Sequence, residues 1–136
     1  MKKTILFGAM FFASFVFAQK APVVGGDKDV HGCKASAGYT YSQIKNNCVR
    51  VFEQKIKLKE VSSDKSYTTM TAVIFSKDMK KAEVFIPDAS AKSIILDRQG
   101  KEKLWKSGSH IKDTYTLVPY KKAGYQIKKN DAVIYQ

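Results

Sequence analysis

The residues able to do covalent or metal chemistry are few, and most stand far apart in the chain. There are two histidines, His31 and His110, and two cysteines, Cys33 and Cys48. His110 closes the run Ser107-Gly108-Ser109-His110, so a hydroxyl nucleophile with a neighbouring base is conceivable. A general base must be positioned before its pKa matters, and this run reads as a polar loop. The carboxylates Asp78, Glu83, Asp88, Asp97, Glu102 and Asp113 fall in different turns or strands, so no acid–base pair is defined by spacing. No phosphate-cradling glycine loop, nucleophile elbow or His-Glu-x-x-His helix is present. Beyond the two cysteines, only His31 and His110 are available to complete a zinc-type metal site. The pattern gives no positive support to catalysis and calls for no cofactor.

Basic residues are the larger chemical resource. The formal charge is +12, from 24 Lys and Arg against 12 Asp and Glu. Lys55, Lys57 and Lys59 share one face of an alternating segment, where they either follow an anionic polymer or simply solvate a sheet. Lys121, Lys122, Lys128 and Lys129 are interleaved with Tyr115, Tyr120, Tyr125 and Tyr135. Such a mixture grips phosphates and stacks on sugars or bases, or else supplies cross-strand aromatic pairs to a core.

The elements that must position these groups begin after an N-terminal leader. Lys2 and Lys3 precede an apolar run from Ile5 to Val16, and Val16-Phe17-Ala18 offers small residues for cleavage before Gln19. Residues 1–18 therefore read as a signal peptide, which predicts a periplasmic or secreted protein. Without the leader the charge is +10, and no later run is long enough to cross a membrane. Outside the cytoplasm the charge points to acidic envelope polymers or proteins more than to nucleic acid. Export also favours a Cys33–Cys48 disulfide over a metal pair or a reactive thiol. A loop of that length stabilises by about 3 kcal/mol in the chain-entropy view.

Residues 19–32, with Pro22 and Gly25-Gly26, read as a flexible arm. Residues 33–53 form a lead segment ahead of the strands, in which Thr40 or Ser42 caps a short helix running through Cys48. Ile44 and Cys48, four apart, then share a face with Tyr41. From Lys55 the hydrophobic period becomes two. Strands are predicted at Lys55–Val61, Tyr67–Phe75, Ala82–Ile86, Ser93–Leu96, Glu102–Trp105, Tyr115–Val118, Tyr125–Ile127 and Ala132–Tyr135, with turns between them. The fold class is mainly β: a small antiparallel barrel or sandwich of seven to eight strands with a disulfide-pinned N-terminal helix, one domain over 33–136.

Ser107-Gly108-Ser109-His110-Ile111, then Tyr115, Leu117 and Val118, then Lys121-Lys122-Ala123-Gly124, resemble the motifs of the periplasmic and membrane-bound inhibitors of c-type lysozyme. That family comprises small exported β-barrels whose loop serine and turn lysine enter the lysozyme cleft. The resemblance implies a cleft-plugging role for Ser107 and Lys121, with Lys122 as the alternative in register and His110 and Tyr120 beside them. The chain departs from the pattern in its cysteine positions and in having Ile111 where an aromatic is expected. The lead segment (Gly32-Cys33, Ser36 to Ser42, Asn47 to Arg50) resembles a cysteine-paired segment of small secreted bacterial proteins of unassigned role. Two functions are thus expected ahead of a dispersed enzyme site. One is a binding protein that blocks a c-type lysozyme or other wall hydrolase. The other is a basic envelope protein that holds anionic glycan or lipopolysaccharide.

Overall fold

A computed structural model describes residues 27–61, 64, 68–87, 89 and 91–136. The expected signal peptide, and residues 19–26 of the expected arm, lie outside the described residues.

Asn46 decides the form of the lead segment. Its φ of 51° is left-handed, a conformation asparagine tolerates and one that turns the chain back on itself. Strand β1 (Tyr39–Ser42) therefore pairs antiparallel with β2 (Asn47–Arg50), placing Tyr41 opposite Cys48. The helix expected through Cys48 does not form. Tyr39-Thr40-Tyr41 is aromatic and β-branched, which suits a pleated surface, and the turn carries Asn46 where a helix would need to continue. The only helical features among the described residues are 3-10 turns at Ala35–Ala37 and Val51–Glu53. Cys33 and Cys48 form the expected disulfide, with Cα atoms 5.6 Å apart. Asp27 to Gly32, the described part of the expected arm, is tied into this segment. Lys28 bridges to Lys34, and the Asp29 carboxylate accepts the N–H groups of His31 and Cys33 at 2.8 and 2.9 Å.

The period-two segment builds eight further strands. They are β3 (Ile56–Lys59), β4 (Met70–Phe75), β5 (Lys81–Val84), β6 (Ile94–Arg98), β7 (Trp105–Ser107), β8 (Tyr115–Tyr120), β9 (Gly124–Lys129) and β10 (Ala132–Tyr135). Each pairs antiparallel with the next. The two ends of the sheet then meet: Lys59 and Gln136 exchange backbone hydrogen bonds at 3.0 Å, and Val61 N–H donates to the Ile134 carbonyl at 3.0 Å. The result is a nearly closed eight-stranded antiparallel barrel, which removes most of the exposed edge. The strand expected at Glu102–Trp105 is displaced to Trp105–Ser107. Arg98 holds the intervening chain as a loop by donating to the carbonyls of Glu102 and Lys101 at 2.9 and 3.2 Å.

Alternation along the strands fills the barrel with Leu58, Val73, Ala82, Val84, Ile94, Leu96, Trp105, Tyr115, Leu117, Ile127 and Tyr135. Strand β4 is buried on both faces from Thr71 to Ile74 because the lead segment covers its outside. There Ala72, Ile74 and Phe85 pack with Val49, Ile44 and Val51 in a second, smaller core. Glu83 lies within this layer at 0 % exposure. Its carboxylate accepts the Ser42 hydroxyl at 2.6 Å and the N–H groups of Gln43 and Ile44 at 2.8 and 3.2 Å. A buried carboxylate so fully supplied with donors is a clasp between hairpin and barrel.

Candidate functional site

In an antiparallel meander, successive connections alternate between the two ends of the barrel. The connections 76–80, 99–104 and 121–123 fall at one end. Those that follow β3, β5, β7 and β9 fall at the other. The first end collects Lys77, Lys80, Lys101, Lys103, Lys121 and Lys122, with Arg98 at the terminus of β6. All six lysines are exposed. Among the described residues none of the seven cations forms a salt bridge, although Lys80 acts at longer range on Asp78.

The carboxylates at this end are already engaged or few. Asp78 accepts the Ser76 hydroxyl at 2.6 Å and the Lys80 N–H at 3.1 Å. These bonds, the hydroxyl foremost, hold its carboxyl below the ordinary value of 3.8. Asp97 forms an ion pair with Lys81 at 2.8 Å on the flank. Arg98 directs its hydrogen bonds to backbone carbonyls, and its guanidinium lies 5.8 Å over the Trp105 ring. A groove of about 510 Å³ runs between Asp78, Lys80, Lys81, Asp97, Arg98 and Gly100.

Beneath the rim the barrel is stoppered by aromatic rings. Phe75 lies 4.9 Å from Trp105 and 5.1 Å from Tyr125, centroid to centroid. Trp105 Nε1 donates to the Met79 carbonyl at 3.0 Å, which pins the 76–80 turn across this floor. Met79 and Lys121 both have left-handed φ, 58° and 54°, so these turns are tight and their lysines project from a firm base. Lys121 Nζ sits 5.2 Å above the ring of half-buried Tyr120. The arrangement is a ring of solvated cations on a rigid apolar floor, suited to anions that need no deep pocket.

The residues singled out by resemblance do not come together. Lys121, Lys122 and Tyr120 are at the basic end. Ser107 ends β7 near the opposite end, turned inward, 9 % exposed, with its Oγ accepting the Tyr115 N–H at 2.9 Å. His110 lies exposed on the 108–114 loop at that opposite end. The six residues of β8 intervene, a distance on the order of 17 Å at about 3.3 Å per residue. Of the other interleaved groups, Tyr115 and Tyr135 belong to the core, and Lys129 pairs with Asp113 at 3.1 Å. Lys55, Lys57 and Lys59 are exposed along the barrel wall.

Lys77, Lys80, Arg98, Lys101 and Lys103 escape a reading of local spacing because they lie in separate turns. What joins them is the parity of the strand count between them, which becomes visible only once the strands are placed. Among the described residues no cluster of three or more His, Cys, Asp and Glu could hold a metal. No known protein family, curated protein or solved structure matches the chain.

Proposed function

We propose that the chain is an exported binding protein that holds an anionic envelope polymer, such as a phosphorylated glycan or lipopolysaccharide, at the basic end of its barrel. The observation that carries this reading is the convergence of six lysines and Arg98, none in a salt bridge among the described residues, on alternate turns over one aromatic floor. Exposed cations of this kind attract through long-range field and close contacts to phosphate or carboxylate, without demanding one stereochemistry. A cleft plug built from Ser107 and Lys121 is less well supported. The two stand at opposite ends of β8, and the Ser107 hydroxyl already serves the Tyr115 amide.

The test is binding of the oxidised chain from Gln19 to vesicles with and without lipopolysaccharide, at salt between about 0.05 and 0.3 M. Affinity should fall steeply with salt and be absent for neutral vesicles. Replacing Lys77, Lys101 and Lys121 together by alanine should weaken binding about tenfold or more, far beyond the loss from replacing Lys55, Lys57 and Lys59. Equal losses in the two variants would reduce the effect to net charge. Salt-insensitive inhibition of a c-type lysozyme, abolished by Lys121→Ala alone, would replace the reading with the inhibitor one.

A further inference from the structure

A second site lies away from the basic end, where the lead segment meets β6. Strand β7 has only three residues, and the chain leaves the barrel wall at Gly108. Among the described residues the first half of β6 therefore has no strand paired on that side, because β7 pairs only with Leu96, Asp97 and Arg98. The gap is a cavity of about 900 Å³ walled by Ile95 and by His110 to Asp113 of the β7–β8 loop. A second cavity of about 530 Å³ adjoins it, lined by His31, Tyr41 and Lys92. Gln43, Ala91 and Ser93 border both, so the two form one elongated groove.

The chemistry of the groove is that of a saccharide site. His31 and Tyr41 stack with centroids 3.6 Å apart and planes 8° from parallel, so each ring covers one face of the other and an outer ring face of the stack is left as a flat shelf. At the midpoint Gln43 Nε2 donates to Ser93 Oγ at 3.0 Å. That leaves the Gln43 carbonyl oxygen to accept and the Ser93 hydroxyl to donate, the two functions a sugar hydroxyl needs. The three carboxylates of the groove are engaged within the protein. Asp29 accepts backbone N–H groups, Asp97 pairs with Lys81, and Asp113 pairs with Lys129 and Asn130. Lys28, Lys92 and Lys112 form no salt bridge among the described residues, although Lys92 acts at longer range on Asp29 and Lys112 on Asp113. An aromatic shelf, paired polar groups and exposed cations held in no salt bridge along one groove favour a ligand with flat apolar faces, hydroxyls and negative charge.

We propose that this groove binds an acidic oligosaccharide, its sugar faces on the His31–Tyr41 shelf and its anionic groups on Lys92 and Lys112. The disulfide assembles the shelf: Cys33 closes the Asp29 turn that presents His31, and its partner Cys48 stands opposite Tyr41 in the hairpin. The site is independent of the basic end and of the reading drawn from it.

The experiment is amide chemical-shift titration of the oxidised chain with an oligogalacturonate and with its neutral methyl ester. Shifts should concentrate at Gln43, Ser93, Ile95 and Lys112, with affinity for the acid about tenfold above that for the ester. Tyr41→Ala and, on the exposed loop, Lys112→Ala should each weaken binding about fivefold or more, while Lys121→Ala with Lys122→Ala should leave it unchanged. A Cys33→Ser, Cys48→Ser variant should lose the saccharide and keep its salt-sensitive binding to lipopolysaccharide vesicles. Shifts confined to 76–80, 99–104 and 121–123, equal affinity for acid and ester, or no shifts at millimolar ligand would each overturn the proposal.

Discussion

Removing the Glu83 carboxylate should release the β1–β2 hairpin while leaving the barrel closed. Glu83 accepts three hydrogen bonds, from the Ser42 hydroxyl and from the Gln43 and Ile44 N–H groups. Hydrogen bonds to a carboxylate group are each worth about 1–3 kcal/mol. The three do not add in full, because Gln43 is exposed and Ile44 half-buried, so water can recover their N–H groups. Ser42 is fully buried and its hydroxyl has no such recourse, although its oxygen still accepts the Lys45 N–H at 3.1 Å. The expected cost of Glu83→Ala, read on the hairpin, is about 3 kcal/mol, or about a hundredfold in the opening equilibrium. Glu83→Gln keeps the shape and one accepting oxygen, and should cost about half that free energy, about tenfold in opening.

Native-state hydrogen exchange on the oxidised protein separates local from global effects. Amides of the β1–β2 hairpin should exchange about a hundredfold faster in Glu83→Ala, while amides between β8 and β9 change little. Unchanged hairpin protection would refute the clasp, leaving the Val49–Ile74–Phe85 packing to hold the hairpin alone. Equal acceleration in hairpin and barrel would refute the separation into two layers, because both would then open as one unit.

Two further outcomes follow from the same geometry. Ser107→Ala deprives the buried Tyr115 N–H of its acceptor and should destabilise the barrel by about 1–3 kcal/mol in urea unfolding, with binding at Lys121 unaffected. Asp113 is held below its ordinary 3.8, chiefly by the Asn130 amide and then by Lys129. A depressed carboxyl contributes stability that is present above its unfolded pKa and lost as pH falls through the folded one. Melting temperature should therefore drop as the medium is acidified below 3.8, and Asn130→Ala should flatten that drop; an unaltered profile would remove Asp113 from the acid response.

The barrel was legible because its strands alternate. Lys57-Leu58-Lys59 and Tyr115-Thr116-Leu117 each point one residue in and the next out, and the structure keeps that phase. The disulfide was legible from the cysteine count and the expectation of export. The hairpin ahead of the barrel was not. Tyr41, Ile44 and Cys48 have a spacing that a helix or a hairpin can accommodate, and the choice rests on Asn46 together with Glu83, about 40 residues further along. A sign that something covers the outside of β4 was present in Thr71-Ala72-Val73-Ile74, where alternation stops because both faces are buried. Strand β7 begins later than its pattern predicts, because Leu104 and Trp105 look like a strand's end whereas Arg98 captures the preceding carbonyls and delays the strand's start. Ser107 and Lys121 looked like partners because the resemblance treats them as one motif, and only the direction of β8 separates them.

The anchoring of the lead segment bears on what it is for. The barrel has its own core, closed by β3 and β10, and none of the described residues that fill it comes from the hairpin. Yet the hairpin is fastened to the barrel two ways, by the Glu83 clasp and by apolar packing of Ile44, Val49 and Val51 on β4 and the Phe85 segment, while the disulfide ties the Asp29–Cys33 turn to the hairpin. An attachment this redundant does little for the interior, but it fixes the outer surface against β6. His31, Tyr41 and Gln43 are the side chains it holds there, and each borders the groove. Rigid placement lowers the ordering cost of binding, which matters most for a saccharide whose individual contacts are weak. The basic end needs no such device, because charge acts at a distance and tolerates lysines that move. The two surfaces thus call for opposite responses to reduction: the shelf should fail with the disulfide, and the lysine rim should persist.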